Sequence, residues 1–382
     1  MQFSSSVGAA VVGTGFIGPV HVEAIRRLGH RVVGILGSTA AKSAAAASSL
    51  NLEKGYATYA ELLADPAVRV VHLASPNKLH REQCLIALAA GKHVVCEKPL
   101  AMTATEAREL VVAAAAHPHL VTAVNYNVRF YPLILEARER LLRGDFGTVF
   151  HIVGSYLQDW LLEATDYNWR VDAEAGGDLR AVADIGTHWL DTILFVTGLQ
   201  VSEVFADLQI VHPTRYKPVG GRETFSAAAT ANTGAVPIAT EDAGTILLRF
   251  TSGAKATLTV SQVCAGRKNC IRFDLAAATA SLSWNSEEPN ALTLGRRAGT
   301  EVLERGPGRF SDYPAGHAEG FPDTFKMLYR AVYADILAGR PSTPPLYATF
   351  ADGLRELELC EAILTSHREQ RWVKVSSRDR LQ

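Results

Sequence analysis

VGAAVVGTGFIGPVHVEAIRRLG, residues 7–29, decides the fold. A run of small and β-branched apolar residues gives way to three glycines, and these open a segment with apolar residues at helical spacing. A short run that stays apolar throughout is what a strand buried on both faces requires, so the first part reads as one strand of a parallel sheet. The glycines fall as Gly13, Gly15 and Gly18, a G-x-G-x-x-G placed between strand and helix. There Gly13 permits the tight turn, Gly15 lets a pyrophosphate approach the backbone, and Gly18 lets helix and strand pack closely. The helix N-terminus offers its N–H groups and a partial positive charge to the same anion. Phe16 and Ile17, carried between the glycines, are assigned to that dinucleotide site with them.

The pattern repeats outward from this stretch. RVVGIL (31–36), VRVVHLA (68–74), KHVVCE (92–97) and HLVTAV (119–124) are further apolar runs with helical stretches between them. Strands alternating with helices imply βαβ units, hence an α/β dinucleotide-binding domain, taken to span 1–125. A chain of 382 residues exceeds what one core holds, so residues 126–382 are assigned to a second domain. Its runs DAGTILLRF (242–250), KATLTVSQV (255–263), NCIRFDLA (269–276) and ASLSWNS (280–286) predict a largely antiparallel sheet, making it α+β. AAATANTGAVPIAT (227–240) is expected to be a loop, and the turn inside DLAAATASLSW (274–284) lacks the glycines expected there. The final helix, ADGLRELELCEAILTS (351–366), is expected to pack back on the first domain or on the sheet.

Composition narrows the function. The 38 basic and 39 acidic residues nearly cancel, which leaves no electrostatic footprint for nucleic acid and favours a small-molecule partner. Five cysteines, at 84, 96, 264, 270 and 360, form no C-x-x-C pair and no metal-ligand spacing. They read as reduced thiols, so no metal is expected and a cytoplasmic protein is. No signal peptide is expected, and no apolar stretch reaches membrane-spanning length.

About 20 residues past the glycine fingerprint, where an acid would bond the ribose 2′-hydroxyl of NAD, stands ILGSTAAKS (35–43). Ser38, Thr39 and Lys42 could accept a 2′-phosphate instead, so NADP is slightly favoured over NAD and both stay open. Ser38 or Thr39 could equally cap a helix.

ADIGTHWLD (183–191) sets Asp184 and His188 four residues apart. On an α-helix they share a face, where they could serve one cavity or form a surface pair worth a few tenths of a kcal/mol.

ASPNKLH (74–80) and CEKPLAMTATEA (96–107), together with the glycine fingerprint, resemble the Gfo/Idh/MocA family, the glucose–fructose oxidoreductase and inositol dehydrogenase relatives. NYNVRFYP (125–132), Trp169-Arg170 and GGDLRAVADIGTHWLD (176–191) extend the resemblance over roughly the first 200 residues. It implies that Ser75, Pro76 and Asn77 line the dinucleotide, with His80 close by, and that Glu97, Lys98, Asn125, Trp169 and Arg170 also serve the cofactor. It further implies that Asp184 and His188 reach the nicotinamide end, and that an open sheet face joins subunits into a dimer or tetramer.

Oxidising a secondary alcohol removes hydride from carbon and a proton from oxygen, so a base must stand beside that carbon. An unperturbed histidine, near 6.5, suits neutral pH better than a lysine near 10.4. His188 is therefore assigned as acid/base, Lys98 as hydrogen-bond donor to the same oxygen, and Asp184 as the residue that orients His188 or binds a neighbouring hydroxyl. The polar, aromatic stretch DWLLEATDYNWR (159–170) and the strand before it suit sugar rings. Tyr126, Tyr156, Gln158 and Asp159 are taken as substrate contacts, and His317 either reaches the substrate from a loop or faces solvent. The expected activity is hydride transfer between nicotinamide and a secondary alcohol or ketone of a sugar, sugar derivative or cyclitol. Two alternatives are an NAD-retaining glycoside hydrolase and a non-catalytic sensor or regulator of the same fold.

Overall fold

The computed structural model describes residues 6–218, 232–306 and 308–375, which form two compact units. The first comprises the residues up to Asn127 together with Phe321–Leu357. Its strands are β1 (Gly8–Val12), β2 (Arg31–Leu36), β3 (Lys54–Tyr56), β4 (Val70–Leu73), β5 (His93–Cys96) and β6 (Thr122–Val124). They pair in parallel in the order β3-β2-β1-β4-β5-β6, the doubly wound dinucleotide-binding topology. All five residues of β1 are buried, as a strand covered by helices on both faces must be.

The helix Phe321–Ala338 and the start of Phe350–Glu369, assigned above to the second domain, group with this unit. Phe325, Leu328, Tyr329, Val332 and Tyr333 bury the inner stripe of the first, while Phe350 and Leu354 join the apolar core under the parallel sheet. Val124 N–H donates to Ala348 O at 2.8 Å, so the returning chain also satisfies the edge of β6.

The second unit holds β7 (Val149–Leu157), β8 (Val201–Gln209), β9 (Thr214–Pro218), β10 (Asn232–Pro237), β11 (Ala243–Phe250), β12 (Lys255–Ser261), β13 (Cys270–Ala277), β14 (Ser281–Asn285), β15 (Ala291–Arg296), β16 (Gly299–Glu304) and β17 (Val373–Lys374). Nine of them form a sheet in the order β16-β15-β14-β13-β7-β12-β11-β8-β17, antiparallel except for the β7–β12 pair. Its register lines up Leu292, Trp284, Phe273, Gly154, Leu258, Ile246 and Ala206 in one row on the covered face. Gly154 interrupts that row because Trp189, on the helix Thr187–Thr197, occupies the space: a Cβ there would lie 2.2 Å from the indole Nε1. Trp189 Nε1 donates to Arg272 O at 2.9 Å, which fixes the helix along the sheet as well as above it.

Two expectations change. Of the stretch 227–240 expected to be a loop, 227–231 lie outside the described residues, but Asn232–Pro237 is a strand, paired antiparallel with β9. Its sequence, NTGAVP, shows no alternation of apolar and polar residues; it pairs through main-chain bonds with β9, where the Arg215 guanidinium donates to the carbonyls of Leu161, Glu163 and Asp166. The glycine-free turn between β13 and β14 forms without a left-handed residue. Ala277 N–H closes it onto Ala280 O, and Ala278 and Thr279 donate outward to Thr148 O and Phe146 O.

Candidate active site

In the first unit the three glycines play different parts. Gly13 has φ +120°, and a Cβ on it would sit 2.3 Å from Ala74 O; at Gly18 a Cβ would meet Gly13 O at 2.2 Å. Gly15 is exposed, with no heavy atom within 4 Å of where a Cβ would be. Two glycines therefore close the turn and the third leaves open space beside the N-terminus of Ile17–Arg27, where helix N–H groups could receive an anion. Past β2, Thr39 Oγ1 caps the next helix by accepting Lys42 N–H at 3.2 Å. The side chains of Ser38 and Lys42 lie on the exposed surface beside it.

Ser75, Pro76 and Asn77 form the turn that follows β4, and Ser75 Oγ donates to Gln83 Oε1 at 2.6 Å. His80 is wholly buried, its ring nitrogens 2.8 Å from Pro99 O and 2.9 Å from Ser75 O. It acts as a brace between the loops after β4 and β5, and burial holds its pKa below the ordinary histidine value. Lys98 is half-buried at the end of β5.

Glu97 belongs to a buried network that sequence reading missed. His21 Nε2 lies 3.0 Å from Glu97 Oε1; His21 Nδ1 meets Tyr329 Oη at 2.8 Å and His72 Nδ1 at 3.1 Å; His72 Nε2 meets Tyr333 Oη at 3.0 Å. Burial would push the Glu97 carboxyl up, but the His21 hydrogen bond, with Lys98 and Asn125 nearby, holds it below the usual value. Burial drives His72 well below the histidine value, and the neighbouring His21 adds to this. With His72 neutral the donors run one way: Tyr333 O–H to His72, His72 or Tyr329 to His21, and His21 to Glu97. Asn125 Nδ2 also donates to Glu97, which fixes its amide so that Oδ1 faces away. That oxygen is buried and meets no donor among the described residues, an arrangement suited to the carboxamide N–H of a nicotinamide. Tyr126, next in sequence, is buried.

In the second unit Asp184 lies in a wide, π-type turn, Val182–Gly186, that runs into the α-helix bearing His188. The regular spacing assumed from sequence is thus broken at the residue of interest, a distortion often found at functional sites. Asp184 Oδ1 accepts from Arg170 Nε at 3.3 Å and Oδ2 from Gln262 Nε2 at 2.9 Å. Arg170 stacks on Trp169, 4.4 Å from its ring centroid. His188 is 8 % exposed, its ring 6.1 Å edge-on from that of Tyr156.

Tyr156 and Gln158 are buried and share Asn269, whose Oδ1 accepts from Tyr156 Oη at 2.6 Å and Gln158 Nε2 at 2.9 Å. Asp159 takes Lys268 Nζ at 2.7 Å. His317 is exposed on its loop. Gln262 and Asn269 carried no sequence signal, since each is placed by the pairing of its neighbouring strand with β7.

A glycine cradle opening a parallel sheet, joined in one chain to a second unit that presents an acid and an imidazole on adjoining turns, defines an oxidoreductase of the nicotinamide class. Residues 7–126 match the model of an oxidoreductase family with an NAD-binding Rossmann fold, and 134–283 match the GFO/IDH/MocA C-terminal domain; the chain belongs to the Gfo/Idh/MocA family. It is an oxidoreductase with an NAD-binding Rossmann domain. Levoglucosan dehydrogenase of Pseudarthrobacter phenanthrenivorans is 28% identical over 87% of this chain and 86% of its own. The 1,5-anhydro-D-fructose reductase of Ensifer adhaerens is 36% identical over 52% of this chain and 58% of its own. A levoglucosan dehydrogenase solved with NADH and levoglucosan superposes with TM-score 0.88 at 26% identity, covering 97% of this chain and 100% of the other. Among the described residues no helix is long and apolar enough to cross a membrane.

Proposed function

We propose that this chain transfers hydride between nicotinamide C4 and a secondary alcohol or ketone of a sugar, anhydrosugar or cyclitol. His188 is the acid/base, Lys98 the hydrogen-bond donor to the reacting oxygen, and Asp184 the partner that holds a neighbouring hydroxyl. The observation that carries the reading is the wide turn at Asp184 adjoining His188, in a family whose named relatives include levoglucosan dehydrogenase and 1,5-anhydro-D-fructose reductase.

The cofactor supplies the hydride acceptor or donor. The chain's residues do the rest. The glycine turn and the Ser75–Asn77 turn receive the dinucleotide, and Asn125 Oδ1 accepts from its carboxamide. The proton of the alcohol passes to the neutral imidazole of His188, and the ammonium of Lys98 stabilises the oxygen as negative charge develops on it. Arg170 and Gln262 hold the Asp184 carboxyl in place, aimed as an acceptor for substrate hydroxyls. Tyr156 offers an apolar edge beside His188 for a sugar ring, and Gln158, Asp159 and Tyr126 are assigned to the same substrate.

Ser38, Thr39 and Lys42 favour NADP slightly over NAD, because no carboxylate in that segment competes for the ribose. The exposed face of the nine-stranded sheet is assigned to self-association. The test is a screen of sugars, anhydrosugars, glycosides and inositols against NAD and NADP, followed at 340 nm. Net reduction with a free sugar or cyclitol supports the reading; tight nucleotide binding with no net reduction across the panel overturns it and favours the hydrolase or the sensor.

A further inference from the structure

We propose that Glu241 is the positioning residue for Asp184 and His188: its carboxylate holds the backbone of the turn that carries Asp184, and the catalytic pair keeps its place through that hold. The inference rests on the roles given above to Asp184 and His188.

Glu241 is 4 % exposed and lies just before β11. Its Oε1 accepts the backbone N–H of Val182 at 2.8 Å and of Arg180 at 3.0 Å, and its Oε2 is also 3.0 Å from Arg180 N. These are N-terminal donors of a helical run, which have no carbonyl of their own to bond, and Ala181 provides no side-chain cap. A carboxylate 59 residues further along the chain supplies that cap.

The same loop fixes the Asp184 side chain. Gln262 donates its backbone N–H to Asp242 O at 2.9 Å and its side-chain N–H to Asp184 Oδ2 at 2.9 Å. Asp242 in turn takes the buried guanidinium of Arg180 and, at 2.6 Å, that of Arg215, while Arg180 Nε donates to Thr240 Oγ1 at 3.2 Å. Residues 240–242 therefore hold the turn at its backbone and at its functional carboxylate.

A neutral residue would fill the position at lower cost. Burial pushes the Glu241 carboxyl up to about 7 against the N–H groups of Val182 and Arg180 and the Arg180 charge, which favour its ionised form. The charge that acts on it is that of Arg180, which pairs with Asp242, itself paired with Arg215. Between the ordinary carboxyl value and about 7 the folded chain binds a proton that the unfolded chain releases, so this group costs stability as pH rises through that window.

The test uses amide NMR of the full chain with Glu241→Ala and Glu241→Gln. In E241A, hydrogen exchange of the Arg180, Val182 and Asp184 amides should rise about tenfold or more and the His188 imidazole signals should move, while the centres of β11 and β12 stay protected. In E241Q a single amide oxygen can accept both N–H groups, so protection should persist, while the pH-dependent shift of the two amides expected of wild type with a midpoint near 7 should be absent. Wild-type exchange in E241A, or an unchanged amide titration in E241Q, overturns the proposal; should E241A fail to fold, the E241Q titration decides alone. Amide results as expected in a protein that turns over no alcohol would overturn the catalytic reading and leave the hold on the turn standing.

Discussion

At the scale of single residues, the two glycines Gly15 and Gly18 sit three positions apart and should fail differently. A methyl at Gly15 meets nothing within 4 Å, so Gly15→Ala should fold and melt as wild type while binding dinucleotide about tenfold or more weakly. A methyl at Gly18 lies 2.2 Å from Gly13 O, a backbone atom that cannot swing away, so Gly18→Ala should cost about 1–3 kcal/mol of stability. Melting curves beside NADH and NADPH fluorescence titrations separate the two; equal melting losses would mean the turn is not built as described. His188 gives the complementary case. Its imidazole is assigned to proton transfer and not to cofactor binding, so His188→Ala should retain dinucleotide affinity and lose about 10²- to 10⁴-fold in turnover. Turnover at the wild-type rate would remove it from that role.

At the scale of elements, the placement of the helix that bears His188 depends on one missing side chain. Trp189 lies against Gly154 in the middle of β7, and His188 is the adjacent residue. Gly154→Ala would put a methyl 2.2 Å from the indole nitrogen and 2.5 Å from Arg272 O, so the helix must lift or slide. We expect a loss of about 1–3 kcal/mol in stability together with reduced turnover, since a displacement of about an ångström at a reacting group costs on the order of a hundredfold. A variant that melts lower but keeps its full rate would show that the helix tolerates the shift. This dependence also marks where sequence stops being legible. The parallel strands announced themselves because burial on both faces leaves an apolar run, and the glycine fingerprint because each glycine answers a local need. Gly154, Gln262, Asn269 and Glu241 carry no such local signal; their meaning comes from the register of strands joined through β7–β12–β11 and β7–β13. The wide turn at Asp184 was equally hidden, because its carboxylate cap comes from before β11 and not from the helix's own N-terminal residues.

At the scale of the whole chain, the first unit is completed by sequence far from it. Helix Phe321–Ala338 presents Tyr329 and Tyr333 to His21 and His72, a pairing no local pattern foretells. Among the described residues, one side of the second unit's sheet is left open. Register places Val302, Thr293, Ser283, Asp274, Val153, Thr257, Leu247 and Phe205 in one row across eight strands on the uncovered face. Val302, Val153 and Leu247 are 56 %, 48 % and 38 % exposed, an apolar content that a lone subunit would present to water at a cost. Self-association through this face should therefore respond to charge placed in the row. Val153→Glu combined with Leu247→Glu adds two carboxylates to side chains that are already exposed, so each subunit should keep its fold and its melting temperature. The assembly should fall from dimer or tetramer to monomer, read as mass by light scattering after gel filtration. An unchanged mass for the double variant would assign subunit contact, if any, to another surface.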